Sequence, residues 1–124
     1  MTTDLRQHLG RFGERLAIDH LLRLGYRVVA HNHRTRFGEL DLIVCDDMRL
    51  VFVEVKTRRD SAHAGSALEA VPAHKQRQVR SMAAAWLAET SDRPRSRELR
   101  FDVIAVTVDR DGRLVALDHV EAAF

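Results

Sequence analysis

The chain has 124 residues, a formal net charge of +2, 45% hydrophobic residues and a single cysteine, Cys45. This length predicts one domain spanning residues 1–124 and leaves no room for a second of ordinary size. One cysteine excludes an internal disulfide and a CxxC metal knuckle, and no apolar run approaches the roughly 20 residues of a membrane span. With no signal-peptide pattern at the start, the expectation is a soluble, cytoplasmic protein. The basic residues are unusual in kind, because 18 are arginine and only Lys56 and Lys75 are lysine. In such a chain the two lysines mark places where a guanidinium would not serve. The arginine richness fits phosphate binding and equally an ordinary solvated surface.

In chain order, residues 4–24 read as a helix. Leu5, Leu9, Phe12 and Leu16 recur at helical spacing, Thr2 or Thr3 caps the start, and Gly25 ends it. Gly10, Gly13 and Ala17 form a small-residue flank that permits close packing. Strands follow at 26–32, 39–46 and 49–57, then a polar loop at 58–70. Pro72 suits the first turn of a second helix over 72–89, whose core stripe is Val79, Met82, Ala83, Trp86 and Leu87. A basic loop at 91–98 leads to a strand at 99–108, and Asp111-Gly112 turns the chain into a last strand at 114–118. The order αβββαββ is a meander followed by a helical crossover. That crossover predicts a right-handed connection, with the next strand parallel to the third or to a neighbour in the same sheet.

The informative stretch is GELDLIVCDDMRLVFVEVKTR, residues 38–58. If the turn is a two-residue loop at Asp47-Met48, paired residue numbers sum to 95, so that Asp41 opposes Glu54 and Glu39 opposes Lys56; a loop at Asp46-Asp47 shifts the pairs by two but keeps the faces, and a three-residue loop breaks the pairing. Strand alternation then puts Glu39, Asp41, Ile43 and Cys45 on one face, with Leu50, Phe52, Glu54 and Lys56 beside them, and Leu40, Leu42 and Val44 on the other. A solvated face with cross-strand ion pairs is one reading. Against it, the same face continues into apolar residues, and two carboxylates directly opposite each other repel unless something offsets them. A divalent cation does so, and carboxylate oxygens are the hard ligands that Mg²⁺ or Mn²⁺ prefer. The Lys56 ammonium then stands ready to stabilise developing phosphoryl charge.

Other residues point to the same place. Glu14, at the edge of the first helix's buried arc, is either a third carboxylate or an ordinary surface acid. Lys75, in the first turn of the second helix, either reaches the acids or snorkels at a helix end. Asp102 reads as an acid near a strand start paired with Arg100 or Arg58. His31 and His33 share a strand face but lack a third ligand at a telling spacing, and Cys45 reads as core.

Gly38-Glu39-Leu40-Asp41, then 12 residues, then Glu54-Val55-Lys56 resembles the active-site pattern of the PD-(D/E)XK nuclease superfamily. The whole chain resembles, more narrowly, the YraN family of bacterial endonuclease-like proteins, related to archaeal Holliday-junction resolvases. The match runs through GRFGERLA, LRLGYRVVAHNHR, GELDLIV, LVFVEVKTR, ALEAVPAHKQRQV, FDVIAV and LDHVEAAF. The resemblance implies an α/β fold with a restriction-endonuclease-like αβββαβ core, a mixed central sheet flanked by helices. It also implies Asp41 and Glu54 as metal ligands, Lys56 as the catalytic lysine, Glu14 as a supporting acid and Lys75 as the basic residue of the second helix.

The resulting expectation is a Mg²⁺- or Mn²⁺-dependent DNA endonuclease, selective for branched DNA. Arg58, Arg59, Lys75, Arg77 and Arg80 would contact phosphates, which positions a backbone without reading sequence. Resolving a symmetric junction needs two cuts, which a homodimer supplies. The competing expectation is a non-catalytic nucleic-acid-binding or protein-interaction module on the same fold.

Overall fold

The computed structural model describes residues 3–59 and 71–124, with side chains from Gln7 onward in the first helix. Its elements are α1 (Thr3–Arg23), β1 (Arg27–Thr35), β2 (Gly38–Cys45), β3 (Arg49–Arg59), α2 (Ala73–Glu89), β4 (Glu98–Val108) and β5 (Leu114–Val120). The five strands form one sheet in chain order. Every neighbouring pair is antiparallel except β3–β4, which is parallel along its length from Arg49↔Glu98 to Arg59↔Val108. Parallel neighbours need a long crossover, and α2 lies within it. The expected α/β fold with a mixed sheet is therefore the observed one. Among the described residues no helix is long and apolar enough to cross a membrane.

Local chemistry sets the joints. Gly25, at φ +97°, ends α1 in a conformation that costs a residue with a Cβ. The Tyr26 N–H then reaches back to the Leu21 carbonyl at 3.0 Å. At the β2–β3 turn, the Asp46 carboxylate accepts from the N–H groups of Met48 (2.9 Å) and Arg49 (2.7 Å). The Asp46 N–H donates to the Arg49 carbonyl at 3.0 Å, closing a two-residue loop at Asp47-Met48. The register is the one this loop predicts, with Cys45↔Leu50, Val44↔Val51, Ile43↔Phe52 and Leu42↔Val53.

Each sheet face carries its own core. On the α1 side Ala17 and Leu21 pack with Leu42, Val44, Val51, Val53, Ile104, Val106 and Val108. On the α2 side Val79, Met82, Ala83 and Trp86 pack with Leu40, Ile43, Cys45, Leu50 and Phe52. The predicted α2 stripe and the core placement of Cys45 are thus observed, with Leu87 at the cluster's edge.

Three local features stand out. First, the small flank expected to let α1 pack closely does so: its buried line is Gly13, Ala17 and Leu21, whereas Leu9, Phe12 and Leu16 are half-buried and Leu5 lies outside the described side chains. Small residues take the inner line because the helix rests directly on β3: a Cβ added at Gly13 would lie 2.8 Å from the Thr57 Cβ. Second, Leu40 joins the α2 core while Leu42 and Val44 join the α1 core, so alternation along β2 breaks at Asp41. Third, β3 runs on to Arg59 where a loop from residue 58 is expected; residues 60–70 of that loop lie outside the described residues.

Asp102 pairs with Arg100, one of its two expected partners. Arg100 Nε and Nη2 donate to the two carboxylate oxygens at 2.8 and 2.9 Å. His119 Nε2 donates at 2.8 Å and the Ala122 N–H at 3.0 Å. This satisfied buried group ties β4 to β5 and the C-terminus, and Tyr26 accepts from Arg100 at 2.8 Å.

The two glycines of α1 make opposite predictions. Gly10 has nothing within 4 Å of an added Cβ. Gly10→Ala therefore stabilises by about 0.5–1 kcal/mol through helix propensity. Gly13→Ala must lift α1 from β3 and costs about 1–3 kcal/mol. Urea denaturation of both variants checks the pair, and equal shifts would refute the close α1–β3 approach.

Candidate metal centre

The β2–β3 ladder stops at Leu42↔Val53. Two residues beyond Val53, the Val55 N–H donates to Oδ2 of Asp41, the residue next to Leu42, at 2.9 Å. A side-chain carboxylate thus takes an N–H at the point where the backbone pairing ends. Asp41 is wedged between the diverging strands, which is also where alternation along β2 breaks. Because it sits at this switch, its carboxyl meets groups from both sheet faces.

On the α2 side it meets Glu54. That side chain is buried, with a relative exposure of 6%, and its carboxyl is close enough to Asp41 for the two to act on each other electrostatically. Lys75 reaches Glu54 from the first turn of α2, with Nζ 3.7 Å from Oε1. Lys56, two residues along β3 and half-buried, also acts electrostatically on Glu54. On the other side Asp41 meets Glu14 of α1 and Glu39 of β2. One carboxylate oxygen from each of these three acids lies within 4.8 Å of the other two. Gly13 places Glu14 there by letting α1 settle against Thr57.

The electrostatics are those of acids forced together. Burial raises the Asp41 pKa to about 7, with Glu54 and then Glu14 adding repulsion; the Val55 N–H and Lys75 oppose the rise. Burial likewise pushes Glu54 up, opposed by Lys75 and Lys56. The donor set is entirely carboxylate oxygen, with no thiolate, which fits a hard cation of the Mg²⁺ or Mn²⁺ kind. A divalent charge there would favour the ionised forms that burial disfavours at both acids and that neighbouring acids also disfavour at Asp41.

The model of the uncharacterised protein family UPF0102 matches residues 13–106. A UPF0102 protein of Mycolicibacterium gilvum is 46% identical over 121 residues, covering 96% of this chain and 95% of its own. One of Mycobacterium avium is 50% identical over 111 residues (88% and 84%), and one of Pelotomaculum thermopropionicum 43% identical over 121 residues (98% of each). The chain belongs to the UPF0102 family. This is the YraN family of the sequence resemblance. The UPF0102 match spans Glu14, Glu39, Asp41, Glu54, Lys56 and Lys75 and ends before β5.

Within this UPF0102 fold, the structure brings Glu14, Asp41, Glu54, Lys56 and Lys75 into one neighbourhood. The other residues expected to meet phosphates are more dispersed. Arg58 and Arg59 end β3, and Arg59 donates to the Arg110 carbonyl at 3.4 Å. Arg77 is exposed on α2, and Arg80 lies over the rings of Phe101 and Phe124 at 4.7 and 5.6 Å. Sequence reasoning missed Glu39 as a member of the acid group, because alternation paired it with Lys56. Its presence in GELD, two residues before Asp41, was the available signal. His31 and His33 join no such group among the described residues.

The raised Asp41 pKa makes a signed prediction for metal-free protein. An unfolded Asp releases its proton near 3.8, the folded one near 7, so between these values the folded state binds more protons. Stability therefore falls as pH rises through that window and levels off above it. Asp41→Asn carries no charge, so its stability relative to wild type improves from about pH 4 to about pH 7. Thermal melts in EDTA across this range check it. A constant difference between the two proteins would refute the raised pKa.

Proposed function

We propose that this UPF0102 protein is a divalent-metal-dependent endonuclease that hydrolyses phosphodiester bonds in DNA, with Mg²⁺ or Mn²⁺ as cofactor and a preference for branched substrates. The observation that carries the reading is the meeting of Asp41 with Glu54 on one side and with Glu14 and Glu39 on the other, where β2 and β3 part beside two lysines. Asp41 and Glu54, joined by Glu14 and Glu39, would hold the ion, which when bound supplies Lewis-acid polarisation of the phosphoryl group.

The chain's own groups have distinct tasks in this reading. The acids are needed in their ionised forms, so activity requires loss of the proton that Asp41 otherwise keeps to about pH 7. Lys56 orients the attacking water and donates to the phosphoryl oxygens as their charge grows. Water oxygen bonds to phosphorus, one phosphorus–oxygen ester bond breaks, and the departing oxygen takes up a proton. Lys75 holds Glu54 in place from α2 at 3.7 Å and stands ready for phosphate. Arg58, Arg59, Arg77 and Arg80 are assigned to backbone phosphates. Such contacts position DNA without reading its sequence, which suits recognition of a branched shape. Two cuts in a symmetric junction call for a homodimer.

The test is cleavage of labelled duplex, single-stranded, flap and four-way-junction DNA with Mg²⁺, Mn²⁺ or EDTA. Metal-dependent cutting that falls by about 10²-fold or more in Asp41→Asn and in Lys56→Ala is expected. Cutting that survives both substitutions, or metal-loaded wild type that cuts none of the four substrates, overturns the proposal. DNA binding without cleavage would then identify a binding module.

A further inference from the structure

We propose that a nucleic-acid strand leaves the acid cluster along the trough between α1 and β1, where Arg11 and Arg34 grip its phosphates. This deepens the nuclease reading and rests on it. It adds a second set of cations, on the side of Asp41 away from Lys75.

The first observation is a cavity of about 350 Å³ lined by Arg11, Glu14, Asn32, Arg34 and Glu39, among others. Two of the three clustered acids are thus in the wall of an open space, and that wall also carries two guanidinium groups. A second cavity, of about 420 Å³, shares Arg11, Glu14 and Asn32 with the first and extends along α1 to Arg15 and Ile18. The shared lining makes one continuous trough that starts at the acids and runs on between the helix and the outer strand. Each part has the size of a cleft for a small ligand. Gly10 also lines the first cavity, and nothing lies within 4 Å of where its Cβ would be. Asn32, at φ +51°, breaks the regular backbone of β1 in the trough wall.

The second observation is that these arginines are not consumed by the acids next to them. Arg11 is exposed and forms no ion pair with any described residue. The Arg34 side chain is 86% exposed, and its nearest approach to Glu39 is a loose 3.8 Å. A guanidinium satisfied by a carboxylate sits closer, at about 2.7–2.9 Å, in a charge-assisted hydrogen bond. Two under-used guanidinium groups in one trough with a cation-attracting cluster suit a ligand of alternating needs. A phosphodiester backbone is such a ligand: one phosphate meets the cation-binding acids while its neighbours meet the arginine forks. A neutral small molecule has no use for either charge.

The experiment measures binding and cleavage separately. Fluorescence anisotropy of labelled DNA, single-stranded and duplex, is read in EDTA over a range of salt. In EDTA no metal-dependent cut occurs. Removing one cation that neutralises a phosphate lowers the slope of log affinity against log salt by about 0.7–0.9. Arg11→Ala and Arg34→Ala are each expected to lower the slope by that amount and the double variant by about twice it, in the form of DNA that occupies the trough. Arg34→Lys keeps the charge and is expected to keep the slope. Arg97→Ala, beside the β2–β3 turn at the far end of β3, is expected to match wild type. Unchanged slopes in both Arg11→Ala and Arg34→Ala, or wild type that binds neither form of DNA, overturn the trough. If those slopes are unchanged while Asp41→Asn abolishes cutting, the trough fails and the nuclease reading stands. A lowered slope without metal-dependent cutting has the opposite meaning: the trough holds a strand and the chemistry is absent.

Discussion

The whole arrangement depends on the hydrogen bond from the Val55 N–H to Asp41 Oδ2, 2.9 Å long. An antiparallel ladder ordinarily satisfies its N–H groups with backbone carbonyls. Here a carboxylate takes one just past the last paired residues, Leu42 and Val53, and the strands diverge. Divergence does two things at once. It satisfies a backbone donor that would otherwise be left without a partner at the end of the ladder. It also breaks alternation along β2, so that Leu40 goes to one core and Leu42 to the other while Asp41 stands between them. A carboxylate on one face of a regular strand meets only one helix. At this break Asp41 meets Glu54, within reach of α2, and Glu14 of α1 together.

The two helices use that opening differently. Glycine brings α1 down onto Thr57, so that Glu14, the next residue, arrives at the acids with its backbone already close. The second helix approaches from the other face and delivers Lys75, a long side chain that reaches Glu54 from the first helical turn. An acid comes from the near helix and a base from the far one. The result is a centre with negative charge concentrated on the α1 side and compensation on the α2 side, a polarity that neither helix creates alone.

Much of this was legible in the sequence because it follows from short-range rules. The face that carries Asp41 and Glu54 follows from counting once the turn is a two-residue loop, and the loop at Asp47-Met48, one of the turns the sequence allows, is the one that forms. The α2 stripe from Val79 to Trp86 and the parallel β3–β4 pair follow equally from period and crossover length. What was not legible depends on a departure from those rules. Alternation assigned Leu40 to the wrong core and Glu39 to Lys56, since nothing in the local sequence says where a ladder stops. The close approach of α1 was legible as well: the small flank at Gly13 and Ala17 is where the helix lies against the sheet, and its leucines at Leu9 and Leu16 stand to the side.

Two buried acids in the same sheet make the case for what kind of site this is. Asp102 is fully buried and accepts from Arg100 twice, from His119 and from the Ala122 N–H. Burial would raise its pKa, but those hydrogen bonds more than offset the effect and hold it below the ordinary value. With His119 Nε2–H turned to that carboxylate, its Nδ1 faces His20 Nε2 at 3.0 Å, and burial lowers the His20 pKa. This fold is therefore able to stabilise a buried carboxylate when the group serves structure. Asp41 receives one backbone N–H and lies beside Glu54, Glu14 and Glu39 instead, and burial, then Glu54 and Glu14, raise its pKa to about 7. A structural role gives no reason to leave it so. On the reading proposed above, a bound cation would offset the burial and the repulsion that Asp41 meets in the metal-free fold.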